Sequence, residues 1–137
     1  MAEKGRRDIA RGVDEMVMVK HFTELVVWEK ADRLAHQVFD LTEGFPRPYL
    51  FDLTSQLRRA VLSVPTNIVE GSACAHTREL LQFINVAQRS LRETQYLLLF
   101  SLRRELITVP QQEALNGSYE EVHRMLGGLH RSLRTRE

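Results

Sequence analysis

The amino-acid sequence predicts an all-α protein that folds as an up-down-up-down antiparallel four-helix bundle. Apolar residues recur every three or four positions along four long segments, and short connections join these segments. No stretch of useful length alternates apolar and polar residues, as a half-buried strand would. Helices with such apolar stripes pack around a shared core at crossing angles of about 20°. We expect this bundle to form one domain over residues 22–137.

Residues 1–21 precede the first periodic segment and mix charged residues with small ones. Their basic and acidic side chains nearly cancel, and no apolar stretch among them is long enough for a secretory signal. We therefore expect an N-terminal arm that is flexible or partly helical.

The first helix is expected over residues 26–42. Its apolar stripe advances in alternating steps of four and three residues through Val27, Ala31, Leu34, Val38 and Leu41. Gly44 and Pro46 follow, and both residue types favour the end of a helix. We interpret Trp28 as an anchor in the core or at an interface, with stacking on a nucleic-acid base as the other interpretation.

The second helix is expected over residues 49–70. Its stripe runs through Leu50, Leu53, Leu57, Ala60, Val64 and Ile68. Pro65 lies within this stripe, which continues past it, so we expect a kink rather than a break. Asn67 and Glu70 flank the kink and are expected to satisfy backbone groups there rather than form a ligand site. Gly71 is expected to stop the helix.

The third helix is expected over residues 77–104. Its stripe runs through Leu80, Ile84, Ala87, Leu91, Thr94 and Leu98. Residues 96–100 are apolar on every side of this helix, and such a helix is buried all round. We expect a second copy of the chain to cover them, with an oligomer interface formed by Tyr96, Leu97, Leu99 and Phe100. The other interpretation is a cover from within the chain, supplied by the N-terminal arm or the loop around Phe45.

The fourth helix is expected to begin at a capping box formed by Thr108 and Gln111. Its stripe runs through Leu115, Tyr119, Val122, Leu126, Leu129 and Leu133. The pair 116–117, Asn-Gly, normally indicates a turn. One interpretation is a single bent or weakened helix, since the stripe keeps its phase. The other is a break, with Ser118 and Glu121 capping a new helix.

The amino-acid composition bears on nucleic-acid binding, on the cellular compartment and on membrane association. The net charge of +1 gives no indication of nucleic-acid binding by itself, although arginine, which suits phosphate, outnumbers lysine sixteen to three. Cys74 is the only cysteine, which fits a reducing compartment. The longest apolar run is far too short for a membrane span. We expect a cytoplasmic protein that does not associate with membranes.

The sequence offers little that points to catalysis. Glu120 and His123 make one E-x-x-H motif, whereas a di-iron bundle needs two such motifs and two further glutamates. Cys74 and His76 lack an acid partner and an oxyanion-hole signature. No phosphate-binding glycine loop or nucleophile elbow occurs. We expect a non-enzymatic protein with no cofactor and no metal.

Four sets of residues carry a resemblance to a known family, and the last of them is Glu79, Leu80, Phe83, Val86, Ala87, Ser90, Leu91 and Glu93. Residues 22–31 spell F-x-x-L-x-V-W-x-x-A, residues 53–60 read LTSQLRRA, and residues 63–71 read SVPTNIVEG. Over residues 22–134 the chain resembles the four-helix bundle proteins encoded in intervening sequences of bacterial 23S rRNA genes. The resemblance implies a homo-oligomer, typically a ring of five. It also implies a distant kinship to the accessory variability proteins of diversity-generating retroelements, which bind nucleic acid and a reverse transcriptase.

Seven arginines are the candidate nucleic-acid-binding residues: Arg58, Arg59, Arg103, Arg104, Arg124, Arg131 and Arg134. On a ring, symmetry would repeat such a phosphate-binding surface and enlarge its field. The structural interpretation is that cations near helix C-termini complement the helix dipole, and that Arg58 pairs with an acid across a subunit contact. Many members of the family carry basic residues after the segment 63–71, but residues 72–76 here contain no lysine or arginine.

These observations predict a homo-oligomeric scaffold, a pentamer by resemblance, that binds RNA or DNA through arginine patches. The alternative is a protein-binding adaptor, such as an accessory subunit of a retroelement reverse transcriptase. A third candidate, a metal-dependent bundle enzyme, is favoured only by the single E-x-x-H motif.

Overall fold

Four long helices account for most of the computed structural model, which describes residue 22 and residues 25–135. The helices are α1 (Val26–Thr42), α2 (Ser55–Ser72), α3 (Thr77–Arg103) and α4 (Val109–Arg134). The described residues contain no strand, so the predicted all-α fold is confirmed. None of the described helices is long and apolar enough to cross a membrane. The predicted N-terminal arm, residues 1–21, lies outside the described residues.

Neighbouring helices run antiparallel. Between α2 and α3, the hydroxyls of Ser63 and Ser90 lie 2.6 Å apart, while Gln56 donates to Glu93 at 3.1 Å. Residue numbers therefore fall along α2 as they rise along α3. α1 packs against α2 and α4, and α4 packs against α3, which closes the bundle. We call the end where α1 and α3 stop the upper end.

The predicted apolar stripes form the core. All their members are buried except Leu41, which is half-buried, and Leu50, which is exposed. The cause at Leu50 is a π-helical turn over Leu50–Thr54, preceded by a 3₁₀ turn at Arg47–Tyr49. A π turn holds more residues than an α turn, so Leu50, at its start, is rotated out of the stripe, whereas Leu53 stays buried. The prediction of a regular helix from residue 49 is wrong to this extent.

α2 continues through Pro65 without a break, as predicted. The side-chain amide of Asn67 donates to the carbonyl oxygen of Ser63 at 2.7 Å and contacts its hydroxyl at 3.0 Å. Asn67 therefore satisfies a backbone acceptor beside the proline, which is the structural role expected for it.

Gly71 does not stop α2, which ends at Ser72 instead, and the prediction of a glycine stop is wrong. A Cβ atom on Gly71 would lie 2.9 Å from Cδ1 of Leu80 and 3.1 Å from Cβ of Phe83. These distances are shorter than van der Waals contact. The glycine therefore serves the close approach of α2 to the start of α3.

α3 ends in a Schellman motif. The N–H of Leu106 donates to the Ser101 carbonyl and the N–H of Glu105 donates to the Leu102 carbonyl, both at 2.9 Å. Glu105 occupies the left-handed position, with φ of 61°, where glycine is usual.

The predicted capping box opens α4. The N–H of Gln111 donates to the Thr108 hydroxyl at 3.2 Å, and the Thr108 N–H donates to the Gln111 side chain at 2.9 Å. α4 then runs unbroken across Asn116 and Gly117. The interpretation with a break at these residues is wrong, because tertiary packing of one continuous stripe outweighs the local turn preference.

The apolar segment 96–100 divides between core and surface. Leu97 is only 5% exposed, whereas Tyr96 is 60% exposed and Phe100 39% exposed. Leu99 is half-buried. The placement of Leu97 in an oligomer interface is therefore wrong, because the rotation of α3 turns this side chain into the core of its own chain. Tyr96, Leu99 and Phe100 remain predicted interface residues. No described segment covers Tyr96 or Phe100.

Candidate nucleic-acid interface

The seven candidate arginines do not form one patch. Arg104 contacts Tyr49 and Gln56 contacts Glu93, so the start of α2 and the end of α3 meet at the upper end. This places Arg58, Arg59, Arg103 and Arg104 at the upper end. Arg131 and Arg134 lie in the last turns of α4, at the opposite end, with Arg124 about halfway along the same helix.

The side chain of Arg58 makes contacts within the bundle. Its Nε donates to the Thr42 hydroxyl at 2.9 Å and its Nη2 to the Phe39 carbonyl at 3.3 Å. The guanidinium lies 4.8 Å from the centre of the Phe39 ring. Arg58 therefore supplies a cation to the C-terminus of α1. This is a correction to its assignment as a phosphate ligand, and the group it meets is a helix end rather than an acid.

Arg104 is also partly engaged, since its Nε and Nη2 donate to the Tyr49 hydroxyl at 3.2 and 2.9 Å. Arg59 and Arg103 are exposed and make no ion pair with any described residue. At the upper end, these two arginines are thus the ones left available to a ligand.

The C-terminal half of α4 forms a basic part of the bundle surface. Residues 122–135 contain three exposed arginines and two histidines and no acidic residue. The acids of α4 nearest to it are already paired, Glu121 with Lys30 and Glu120 with Arg92. Arg124, Arg131 and Arg134, in contrast, form no ion pair with a described residue.

A groove between α3 and α4 borders this basic surface. Its volume is about 700 Å³, and its polar lining consists of Gln82, Asn85, Gln88, Arg89, Arg92 and His123. The sequence did not point to this site, because its arginines and amides are spaced along the outer side of α3 like any solvated helix face. A run without acids over residues 80–92 is the one signal that could have drawn attention to it.

Arg92 is held in place by a polar network between α3 and α4 that lies beside the groove. Its Nη1 donates to the side chains of Gln95 and Glu120, each at 2.7 Å. Gln95 also donates to Glu120 at 2.9 Å and to Asn116 at 3.1 Å. The hydrogen bonds from Gln95 and Arg92 lower the pKa of Glu120 below its ordinary value. The carboxylate therefore stays ionised and keeps Arg92 oriented.

His123 lies at the α4 side of the groove. Its Nδ1 is buried and has no hydrogen-bond partner among the described residues. Desolvation lowers the pKa of His123 below its ordinary value, and the nearby charge of Arg92 adds to this. The neutral imidazole thus presents an unsatisfied polar atom beside the groove.

The E-x-x-H motif does not assemble a metal centre in the described part of the chain. Glu120 is engaged by Arg92 and Gln95. No three histidine, cysteine, aspartate or glutamate side chains within residues 25–135 lie close enough to share a metal ion. Cys74 is half-buried near Glu70, and burial, followed by the charge of Glu79, raises the pKa of its thiol above the ordinary value. The arrangement disfavours a reactive thiolate.

We use the name aromatic patch for three exposed aromatic residues towards the upper end, Phe51, Tyr96 and Phe100, of which the last two contact each other. Phe51, in the π-helical turn, is 92% exposed. The rings of Tyr96 and Phe100 contact each other with centroids 6.3 Å apart. Residues 49 and 56 contact residues 104 and 93, which places Phe51 near the level of Phe100. The sequence missed Phe51, since its exposure follows from the wide turn.

Trp28 has a structural role in the packing of α1. It is half-buried, packs against the core and meets Phe22 edge-to-face with ring centroids 5.1 Å apart. This arrangement matches the anchor interpretation rather than an exposed stacking platform.

The chain is similar to known proteins in sequence and in structure. The family model of the 23S rRNA-intervening sequence protein matches residues 23–128. A similar solved structure is the crystal structure of a protein with unknown function from the S23 ribosomal protein family of Bacteroides thetaiotaomicron. It is 25% identical, with a TM-score of 0.72, and the match covers 77% of this chain and 96% of that chain. No curated protein is found to match.

Proposed function

The chain belongs to the 23S rRNA-intervening sequence protein family, and we propose that it is a homo-oligomeric scaffold that binds RNA through exposed arginines. The observation that carries the proposal is the C-terminal half of α4. Its three arginines are exposed, form no ion pair with a described residue, and have no acid among residues 122–135. Arginines kept free in this way suit phosphate oxygens, which they bind bidentately.

Assembly is supported by the aromatic patch. Large exposed aromatic side chains that contact each other, as Tyr96 and Phe100 do, mark protein–protein contact sites more often than they mark free surface. In a closed ring, which we propose has five copies, each basic surface is repeated by symmetry. The net charge of +1 per chain then matters less than the local field, and several weak RNA contacts act together.

The test of RNA binding is the salt dependence of affinity. Fluorescence anisotropy with a labelled RNA should give an affinity that falls linearly with log salt, with a slope set by the number of phosphates neutralised. The double variant R131Q/R134Q should bind more weakly and reduce the slope by about two. R33Q/R47Q removes the same charge from exposed positions on α1, where Arg33 pairs with Glu29, and on the 3₁₀ turn, and serves as the control. Binding that is absent, or independent of salt, would overturn the proposal.

The test of assembly is the mass in solution. Light scattering at micromolar concentration should return a multiple of the 15.9 kDa chain mass. Phe51→Glu and Phe100→Glu should each lower this mass, because they place a charge in the aromatic patch. Glu substituted for Val109, another exposed apolar residue, is the control and should leave the mass unchanged. A wild-type mass near that of one chain contradicts the oligomer.

The exposure of Phe51 also favours a second candidate function, an adaptor that binds another protein. A reverse transcriptase of a retroelement is the partner class that we consider. In that case the wild-type protein should co-purify with a reverse transcriptase encoded beside its gene, and Phe51→Glu should abolish this. RNA affinity with a steep salt dependence in the isolated protein argues for the first function.

A further inference from the structure

We propose that the groove between α3 and α4 is the site that binds single-stranded RNA, with its arginines on phosphates and its amides on base edges and ribose hydroxyls. This inference rests on the proposed RNA binding and assigns it to a place that includes only Arg131 of the seven arginines predicted from sequence. The charge of the groove, the fixed position of Arg92 and three side-chain amides without a partner among the described residues support this assignment.

The first step is charge. Arg89 and Arg92 line the groove, and Arg131 reaches towards it over Gly127, whose Cβ position is 3.5 Å from Nη1 of Arg131 and 3.6 Å from Nε2 of Gln88. No acidic residue lines the groove that the structure describes, and Glu120, beside it, balances the charge of Arg92, so the unbalanced positive charge comes from Arg89 and Arg131. A polyanion is the ligand class that such a groove attracts.

The second step is preorganisation. Arg92 donates both of its hydrogen bonds from Nη1, to Gln95 and to Glu120. No described residue engages its Nε or Nη2 atoms, so the other edge of the guanidinium is free for two parallel bonds to a phosphate. Because the polar network already holds the side chain, little rotamer freedom is lost when a phosphate binds.

The third step distinguishes RNA from a bare anion. Gln82, Asn85 and Gln88 line the groove and make no side-chain hydrogen bond with any described residue. Each amide offers donors and an acceptor together. Inorganic anions use donors alone, whereas base edges and the 2′-hydroxyl use both.

The row of amides also distinguishes single-stranded from double-stranded RNA. The amides project along one outer side of α3 at positions 82, 85 and 88, about 4.5 Å of helix rise apart. Unpaired bases expose all their edges to such a row, whereas an RNA duplex hides the base edges of its narrow major groove from side chains and pairs the Watson–Crick edges. The groove therefore fits a single strand.

The experiment measures anisotropy of three labelled probes of one sequence: a 12-nucleotide single-stranded RNA, the matching single-stranded DNA, and the RNA duplex. Arg89→Gln should weaken RNA binding by about fivefold to tenfold and reduce the log–log salt slope by about one. Arg47→Gln, which removes an exposed arginine from the other end of the bundle, should change affinity less than about twofold. Gln88→Ala should weaken RNA binding more than DNA binding and leave the salt slope unchanged.

The outcomes separate this inference from the function on which it rests. If the wild-type protein binds none of the probes, RNA binding itself is wrong. If the wild-type binds RNA while Arg89→Gln and Gln88→Ala behave like Arg47→Gln, RNA binding stands and the groove is overturned as its site. Tighter binding of the duplex than of the single strand also overturns the groove assignment. Thermal unfolding of each variant by circular dichroism confirms that the fold is intact.

Discussion

Arg58 on α2 donates from Nε to the hydroxyl of Thr42, across 2.9 Å, and thereby ties α2 to the last turn of α1. α1 has no basic residue in its own last turn, so Arg58 provides the cation that a helix C-terminus favours. Its neighbour Arg59 is exposed and makes no such contact. Two adjacent arginines of one sequence motif therefore have different roles.

Arg58→Ala should lower the free energy of unfolding by about 2 kcal/mol, since it removes two charged hydrogen bonds and a cation–π contact. Arg59→Ala should change it by about 0.5 kcal/mol or less. Urea denaturation followed by circular dichroism, at one protein concentration, measures both. Equal stability of the two variants would show that the Thr42 contact contributes nothing.

Gly71 and Gly127 form a second matched pair. Gly71→Ala places a Cβ 2.9 Å from Cδ1 of Leu80 and 3.1 Å from Cβ of Phe83, so the Leu80 side chain and the adjoining turn of α3 must shift, and we expect a net loss of about 1 kcal/mol. Gly127→Ala meets its neighbours at 3.5 and 3.6 Å, which is ordinary contact. It should gain about 0.5–1 kcal/mol from helix propensity. Thermal unfolding gives the sign of each change, and stabilisation by Gly71→Ala would refute the close-approach role.

Tyr119 is fully buried, and its hydroxyl has no hydrogen-bond partner among the described residues. The same burial raises the pKa of this phenol above its ordinary value. Tyr119→Phe removes the unsatisfied group and keeps the ring, so stability should rise by about 1 kcal/mol. Tyr49→Phe, which removes the acceptor of Arg104, should instead lower stability by about 0.5 kcal/mol. A clear loss of stability in Tyr119→Phe would indicate that the hydroxyl has a partner.

His123 should make stability depend on pH. Its pKa in the folded protein lies below the ordinary value of 6.5, because desolvation and the charges of Arg92 and Arg124 oppose protonation more than Glu120 favours it. Between this ordinary pKa and the lower pKa of the folded protein, the unfolded chain therefore binds more protons than the folded chain. The free energy of unfolding thus decreases as the pH falls through this interval.

The measurement is the urea midpoint at about pH 7.5 and about pH 5.5 for the wild type and for His123→Gln. His123→Gln should lose part of the decrease on acidification. His36→Gln, which alters an exposed histidine on α1, should keep all of it. If His123→Gln retains the full decrease, another group causes it.

Much of the fold was predictable from the sequence because apolar periodicity and capping are local. The stripes of α1, α3 and α4 identify helices by spacing alone, and Thr108 with Gln111 marks the start of α4 within four residues of chain. Residues 49–54 were less predictable, since the π-helical turn is a small change in backbone winding that the order of residue types does not encode.

The candidate site depended on tertiary structure. By itself, the sequence determined the four amphipathic helices, their antiparallel order and the acid-free half of α4. Only the packed bundle decided that Leu97 faces the core, that Arg58 meets Thr42, and that the amides of α3 lie beside His123. The physical reason is that these contacts join positions far apart in the chain, and they depend on the rotation of each helix about its axis, which only packing against its neighbours sets.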